Sequence, residues 1–301
     1  MRITSNMIAA QQMTGLQSNL SLLQKAQQQV TSGKRYAAAS DDPTAAIGTM
    51  AAGSSLRALE QYRTNVQRAS SRIDVEDGVL QQIGDLVSRA KELGVTAASS
   101  SASAQTRSVA NAEVQQIFSQ IVSLGNTKFG NEYLFGGQQS TTAPFAVTGS
   151  GATLNYTTTN PQGARSIGIG EGQTLAPTHD GKQLLLDTGV LDAVKSLSIA
   201  LDPSSPLNAQ TAVTSALTQL DGAYDNVQTM VGDTGAQANR LSSVGQNLDA
   251  LKTSLTTFKS NLEDVDVEKA MTELTTRQVA YQAALLATSK VTSLNLTDYL
   301  R

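Results

Sequence analysis

Few residues in this chain could carry reaction chemistry, and they are scattered. His179 is the only histidine. It stands between Pro177-Thr178 and Asp180-Gly181, a stretch that reads as a turn, and one histidine cannot build a two-histidine zinc site. There is no cysteine, which excludes disulfides, thiolate metal sites and cysteine nucleophiles together. Gly168, Gly170 and Gly172 have the look of a phosphate loop, but no helix opens directly after them, as that chemistry needs; they read as turn glycines. Ser40-Asp41-Asp42-Pro43 has the order of a helix start. A side-chain oxygen accepts from free backbone N–H groups, the second carboxylate favours the positive helix end, and proline fits the first turn. Glu263, Asp264 and Asp266 could gather a cation, but they fall where a helical pattern breaks, so a break or cap is expected. Lys34-Arg35 is too short for a nucleic-acid patch. Neither a Gly-x-Ser-x-Gly elbow nor a Walker A loop occurs. The expectation is a protein that is not an enzyme, with no metal site and no cofactor.

What must position any function here is helix. Over 241–265 the apolar residues Leu241, Val244, Leu248, Leu251, Leu255, Phe258, Leu262 and Val265 alternate at spacings of three and four, the seam by which one helix buries a narrow stripe against another. Similar seams run through 4–31 (Met13, Leu16, Leu20, Leu23, Gln27, Val30) and through the last helix (Val267, Met271, Leu274, Gln278, Tyr281, Leu285, Thr288). Gly33 is placed to end the first of these. From residue 44 to about 98 the pattern stays helical, with Leu56, Leu59, Val66, Ile73, Leu80, Ile83, Val87 and Ala90 on one side. A Ser/Ala break at 99–103 and a helix over 104–128 predict an antiparallel hairpin. Another helix is expected over 187–201. A long one should start near 208, continuous or kinked at Gly232 and Gly235, each of which costs about 1 kcal/mol against alanine in a helix interior. Between the helical regions, 137–186 is rich in Gly, Thr and Ser and holds short alternating runs at 153–158 and 165–169, the mark of a small β-rich insertion.

Composition agrees. A chain of 301 residues with 40% apolar but only 4% aromatic residues and no tryptophan suits narrow helix seams better than one large core. A formal net charge of −3 is too small to imply nucleic acid or an anionic membrane as partner. No apolar run approaches the ~20 residues of a membrane helix. The first thirty residues read as an amphipathic helix rather than a cleaved secretory signal. The fold class expected is therefore mainly α: an elongated helical bundle or coiled-coil rod with a small β-rich insertion. The terminal helices, 1–41 and 266–301, have narrow stripes and are marginal alone, so they should become ordered mainly when neighbouring copies or a partner cover them. The helical rod is 42–136 with 187–265.

Several motifs in this frame resemble those of the bacterial flagellins. They are Met1-Arg2-Ile3-Thr4, Val30-Thr31-Ser32-Gly33-Lys34-Arg35, and Ser40-Asp41-Asp42-Pro43 followed by Ala45-Ala46. The C-terminal half adds Gly235-Ala236-Gln237-Ala238-Asn239-Arg240-Leu241 and the break Glu263-Asp264-Val265-Asp266. Two further stretches are more similar to the flagellin-like hook-associated proteins that form the hook–filament junction. These are Asn131-Glu132-Tyr133-Leu134-Phe135-Gly136-Gly137 with Ala143-Pro144-Phe145, and the tail Asp298-Tyr299-Leu300. Asn295-Leu296-Thr297 departs from that tail pattern. The resemblance covers 1–145 and 208–301, and nothing specific matches 146–200.

The resemblance implies structural work: terminal helices forming the inner tube of an axial filament, middle helices forming the next shell, and the insertion pointing outward. It implies export through the flagellar type III channel without a cleaved signal, a chaperone on the C-terminal helix beforehand, and an extracellular place in the flagellum. The partners expected are other copies of this chain, the other junction protein, and flagellin. The self-assembly and partner surface is expected at Leu16, Leu20, Leu23, Val30, Met271, Leu274, Tyr281, Leu285, Tyr299 and Leu300. Two other functions fit the same sequence: a filament subunit of flagellin type, and a surface adhesin or binding module using the insertion.

Overall fold

A Gln-, Leu- and Ala-rich stretch without proline makes α1, Ser5–Ser32. Gly33 stops it at φ +68°, a left-handed conformation that glycine enters without a Cβ penalty, and its N–H donates to Gln29 O at 2.9 Å. The acidic pair that follows divides its work. Asp42 Oδ1 accepts from Ala45 N at 3.0 Å and caps the next helix, while Asp41 Oδ2 accepts from Ala37 N and Ala38 N at 3.2 Å each and closes the preceding turn. These backbone donors hold both carboxyls below the usual carboxylate range. With Pro43 in the first turn, α2 then runs without a break over Pro43–Ala98.

The computed structural model describes residues 5–99, 103–159, 161–163, 165–203 and 209–299. Ser103 caps α3, Ala104–Gly125, its Oγ accepting from Thr106 N at 3.0 Å. α3 lies beside α2, with Arg89 Nε donating to Glu113 Oε1 at 2.8 Å between them. It ends three residues before the expected Lys128, for a local reason. The Asn126 side chain brackets the Phe145 backbone, donating to its carbonyl at 2.8 Å and accepting its N–H at 3.0 Å. This locks the chain into the strands that follow.

Those strands form three separate antiparallel pairs. β1 (Lys128–Phe129) pairs with β2 (Glu132–Tyr133), β3 (Phe145–Thr148) with β4 (Asn155–Thr158), and β5 (Ile167–Gly170) with β6 (Gln173–Leu175). A π-helical turn at Lys182–Asp187 and a left-handed Gly189 delay α4 to Val190–Leu201. α5, Ala209–Glu263, is one continuous helix through Gly232 and Gly235. α6 follows over Val267–Tyr299, with Asp266 Oδ1 accepting from Lys269 N at 3.2 Å at its start.

The chain divides into two units: 59–249, and 1–58 with 250–301. The larger unit has two apolar cores. In one, α2, α3, α4 and α5 enclose Phe118, Phe135, Phe145, Ile121, Leu184 and Leu191, all essentially inaccessible to solvent. The motif Leu134-Phe135…Phe145 thus serves as interior, and Gly137 bends away from it at φ +60°, where a Cβ would meet Gln162 O at 2.6 Å. The other core joins Val66, Ala69 and Ile73 of α2 to Ile169 and Leu175 of the β5–β6 pair and to Leu241 and Leu248 of α5. The seam expected over 241–265 is therefore only partly buried: Leu241 and Leu248 are covered, whereas Leu251 and Phe258 are about half exposed.

In the smaller unit, α1 and α6 lie against each other in antiparallel sense. The end of α1 meets the start of α6: Val265 N donates to Gly33 O at 2.9 Å and Arg35 N to Glu263 O at 2.7 Å. Lys34 Nζ forms an ion pair with Glu263 at the same place. Leu23, Ala26 and Ala270 are buried in this unit, as are Ala45, Ala46 and Ala52 of α2.

Candidate self-assembly surface

α1 turns Leu23 inward, where it is 9% exposed, and the neighbouring Leu20 and Leu22 outward. Leu16 and Val30 are half-buried, as are Leu274 and Tyr281 on α6. Met271 and Leu285 face solvent. The side chain of Tyr299 and all of Leu300 lie outside the described residues. The expected set thus combines an inner member, four intermediate ones and three open ones. Spacing alone could not separate these, because a seam residue and its i+1 neighbour differ only in which helix covers them.

Exposed large apolar side chains gather in the smaller unit. Leu286 is 71% exposed and Ile47 70%, and Met7, Met13, Met50, Val267 and Val279 are also more than half open. The larger unit has only Val95, Val109, Val147 and Tyr224 in this class among the described residues. Apolar surface in water costs about 25 cal/mol per Å², and contiguous patches of it mark interaction sites. The chemistry this surface can perform is adhesion: helix faces that gain free energy when another helix covers them.

A polar contact that spacing did not reveal lies inside the larger unit. Glu76, one turn beyond Arg72 on α2, is 1% exposed, and its Oε1 is 2.7 Å from His179 Nδ1 and accepts His179 N at 3.1 Å. The hydrogen bond to Glu76 raises the His179 pKa above its ordinary value, against a smaller opposing effect of burial. Asp233 of α5 and the adjacent Asp180 act in the same direction. The Gln237 amide, turned to satisfy both its ends, donates to Ala176 O at 2.9 Å and Pro177 O at 3.2 Å. This clasp fastens the loop after β6 to α2 and α5. His179 lies in the loop that follows β6, and its carboxylate partner is 103 residues away in sequence. Nothing in either local sequence announces the pair.

Among the described residues no group of three acidic, histidine or cysteine side chains could hold a metal ion, and no helix is long and apolar enough to cross a membrane. The remaining signal is resemblance to known proteins. Two family models match the chain, the bacterial flagellin N-terminal helical region over 3–140 and the bacterial flagellin C-terminal helical region over 217–300. The chain is 26% identical to flagellar hook-associated protein 3 of Salmonella typhimurium, covering 94% of this chain and 95% of that one. It is 27% identical to the flagellin of Bacillus subtilis over the whole of both. The fold is shared with solved structures of Bacillus cereus FlgL (TM-score 0.57, 22% identity, 70% of this chain and 99% of that one). It is also shared with hook-associated protein-3 of Legionella pneumophila (TM-score 0.60, 15% identity, 70% and 98%). With both helical regions matched, the chain belongs to the bacterial flagellin family, as a flagellar structural subunit.

Proposed function

We propose that this chain joins hook to filament in the bacterial flagellum, and that it works by helix packing between copies. The observation that carries this is the concentration of exposed apolar side chains on α1, α6 and the adjoining parts of α2 and α5. In this reading Leu20, Met271 and Leu285 are buried by neighbouring subunits, Leu16, Val30, Leu274 and Tyr281 flank them, and Leu23 holds α1 to α6 inside one copy. Tyr299 and Leu300 belong to the same partner surface. The terminal segments 1–41 and 266–301 form an inner tube ordered by neighbours, 42–136 with 187–265 the surrounding helical layer, and 137–186 the outward β-rich part. The partners are further copies, a second junction protein on one side and flagellin on the other. Export without a cleaved signal through a type III channel, with a chaperone on α6, fits a chain whose terminal helices have little to bury until they assemble. The likeness to hook-associated protein 3 over nearly the full length of both chains supports this place in the flagellum.

A filament subunit is the second reading, supported by the comparable likeness to flagellins. Deleting the gene in its own host separates the two. Hooks without filaments, with flagellin monomer in the medium, are expected for a junction subunit. Loss of flagellin from medium and surface alike would identify the filament subunit instead, and normal filaments would sink both.

A further inference from the structure

Within the larger unit a cleft of about 370 Å³ is lined by Arg68 and Arg72 of α2, by Phe129 and Glu132, and by Arg165 and Ile167. Its charges do not balance. Glu132 is the one carboxylate in the lining. Both its oxygens accept from Arg165 Nη1, at 2.9 and 2.7 Å, and Arg72 Nη1 reaches it only at 3.5 Å. The other contact of Arg72, to Leu134 O, is equally long at 3.5 Å. Its guanidinium carbon lies 5.6 Å from the centroid of the Phe129 ring. A guanidinium carries five donors in a planar fork that matches a carboxylate. Arg72, 15% exposed, is thus held by the ring with most of its fork unmet. Arg68, on the same helix, has no ion pair among the described residues. Three guanidinium groups against one carboxylate, in a chain of net charge −3, make this cleft a receptor for a further carboxylate.

The same unit offers that group on a projection. β5 and β6 close in a tight turn in which Gly170 pairs with Gln173. Glu171 stands exposed at its tip between Gly170 and Gly172. Gly172 adopts φ +67°, and the two glycines leave the glutamate as the only side chain between them. Glu171 also has no ion pair among the described residues, although the arginine cleft of its own copy is built partly from β5. We propose that in the assembled flagellum the β5–β6 tip of one copy enters the arginine cleft of the adjacent copy, with Glu171 completing the forks of Arg68 and Arg72. Knob and cleft are different patches of one chain. The contact is therefore heterologous, each copy uses both patches, and the arrangement repeats from copy to copy, in a ring or along a helix. This rests on the reading above that copies pack side by side, and adds to it a second, polar contact away from the terminal helices.

The absence of cysteine makes the test direct. Copies carrying Glu171→Cys and copies carrying Arg68→Cys are expressed together in the host lacking its own gene, and isolated flagella are oxidised. A disulfide-linked dimer is expected from the mixture and from neither variant alone. Mixed copies recovered in flagella without a dimer overturn the proposal and leave the junction reading intact. Dimers of Glu171→Cys alone also overturn it, since they require an isologous contact. Absence of the chain from isolated flagella sinks the underlying reading and the proposal with it. As a second measurement, Glu171→Arg is expected to lower intact filaments per cell about tenfold, the scale of losing one interfacial charge pair. Joining it to Arg68→Glu should restore the count. Unchanged filament numbers in Glu171→Arg, or no recovery in the charge exchange, count against the contact.

Discussion

At the residue scale, the buried Glu76 has one ion-pair partner among the described residues, His179, and that partner titrates. His179 holds its proton above the ordinary histidine pKa of about 6.5 because Glu76 accepts its Nδ1–H. A group whose pKa is raised by folding adds stability that is fully present below its unfolded value and lost as pH rises through its folded value. Thermal melting of the larger unit should therefore fall as pH is raised above about 6.5. His179→Gln should flatten that slope while lowering stability by roughly 2–3 kcal/mol, the scale for leaving a charged acceptor without its charged donor. Urea titrations at pH 6 and pH 9 check both; an equal pH slope in the variant would remove His179 as its source. The acidic pair behaves in the opposite sense. Asp41 and Asp42 have lowered pKa values, so what they add is present at neutral pH and is lost in acid, below the ordinary carboxylate range. That pair was legible because a cap is a local pattern. The Glu76–His179 clasp was not, because sequence spacing carries no information about which turn meets which helix.

At the element scale, glycines that look alike in sequence do different work. Gly125 is where α3 meets the β-rich part: a Cβ there would lie 2.5 Å from Leu185 Cδ1 and 3.0 Å from Phe145 Cδ2. Gly125→Ala should cost about 1–3 kcal/mol through overpacking. Gly232, helical with nothing within 4 Å of an added Cβ, should gain about 0.5–1 kcal/mol as alanine. Denaturant unfolding of the two variants should move in opposite directions. The long helices α2 and α5 were readable from periodicity, which needs only local apolar spacing. The early end of α3 was not, because it depends on Asn126 reaching the Phe145 backbone. Nor was the burial of half a seam: 241–265 has one uniform pattern, but the core residues Val66, Ile73 and Ile169 meet only its first part. A periodic stripe states that a partner is needed, and leaves open whether the partner is in the same chain.

At the scale of the whole molecule, that distinction divides folding from assembly. Leu285→Asp adds a charge to an already exposed side chain, so its circular dichroism and melting should match the parent to within about 0.5 kcal/mol. Incorporation into flagella should nevertheless be lost. Normal filaments in that variant would show that the outer face of α6 meets nothing. Leu23→Asp differs, since Leu23 is buried between helices of one copy, and it should impair folding of the smaller unit first. The turn at Gly33 has a consequence in time as well as in space. Lys34 and Glu263 are 229 residues apart in sequence, and the backbone bonds around them tie α1 to α6. Closing so long a loop costs only modestly more than closing a short one, but it cannot begin until α6 has been made. Through synthesis, α1 waits without its companion until α6 has followed it.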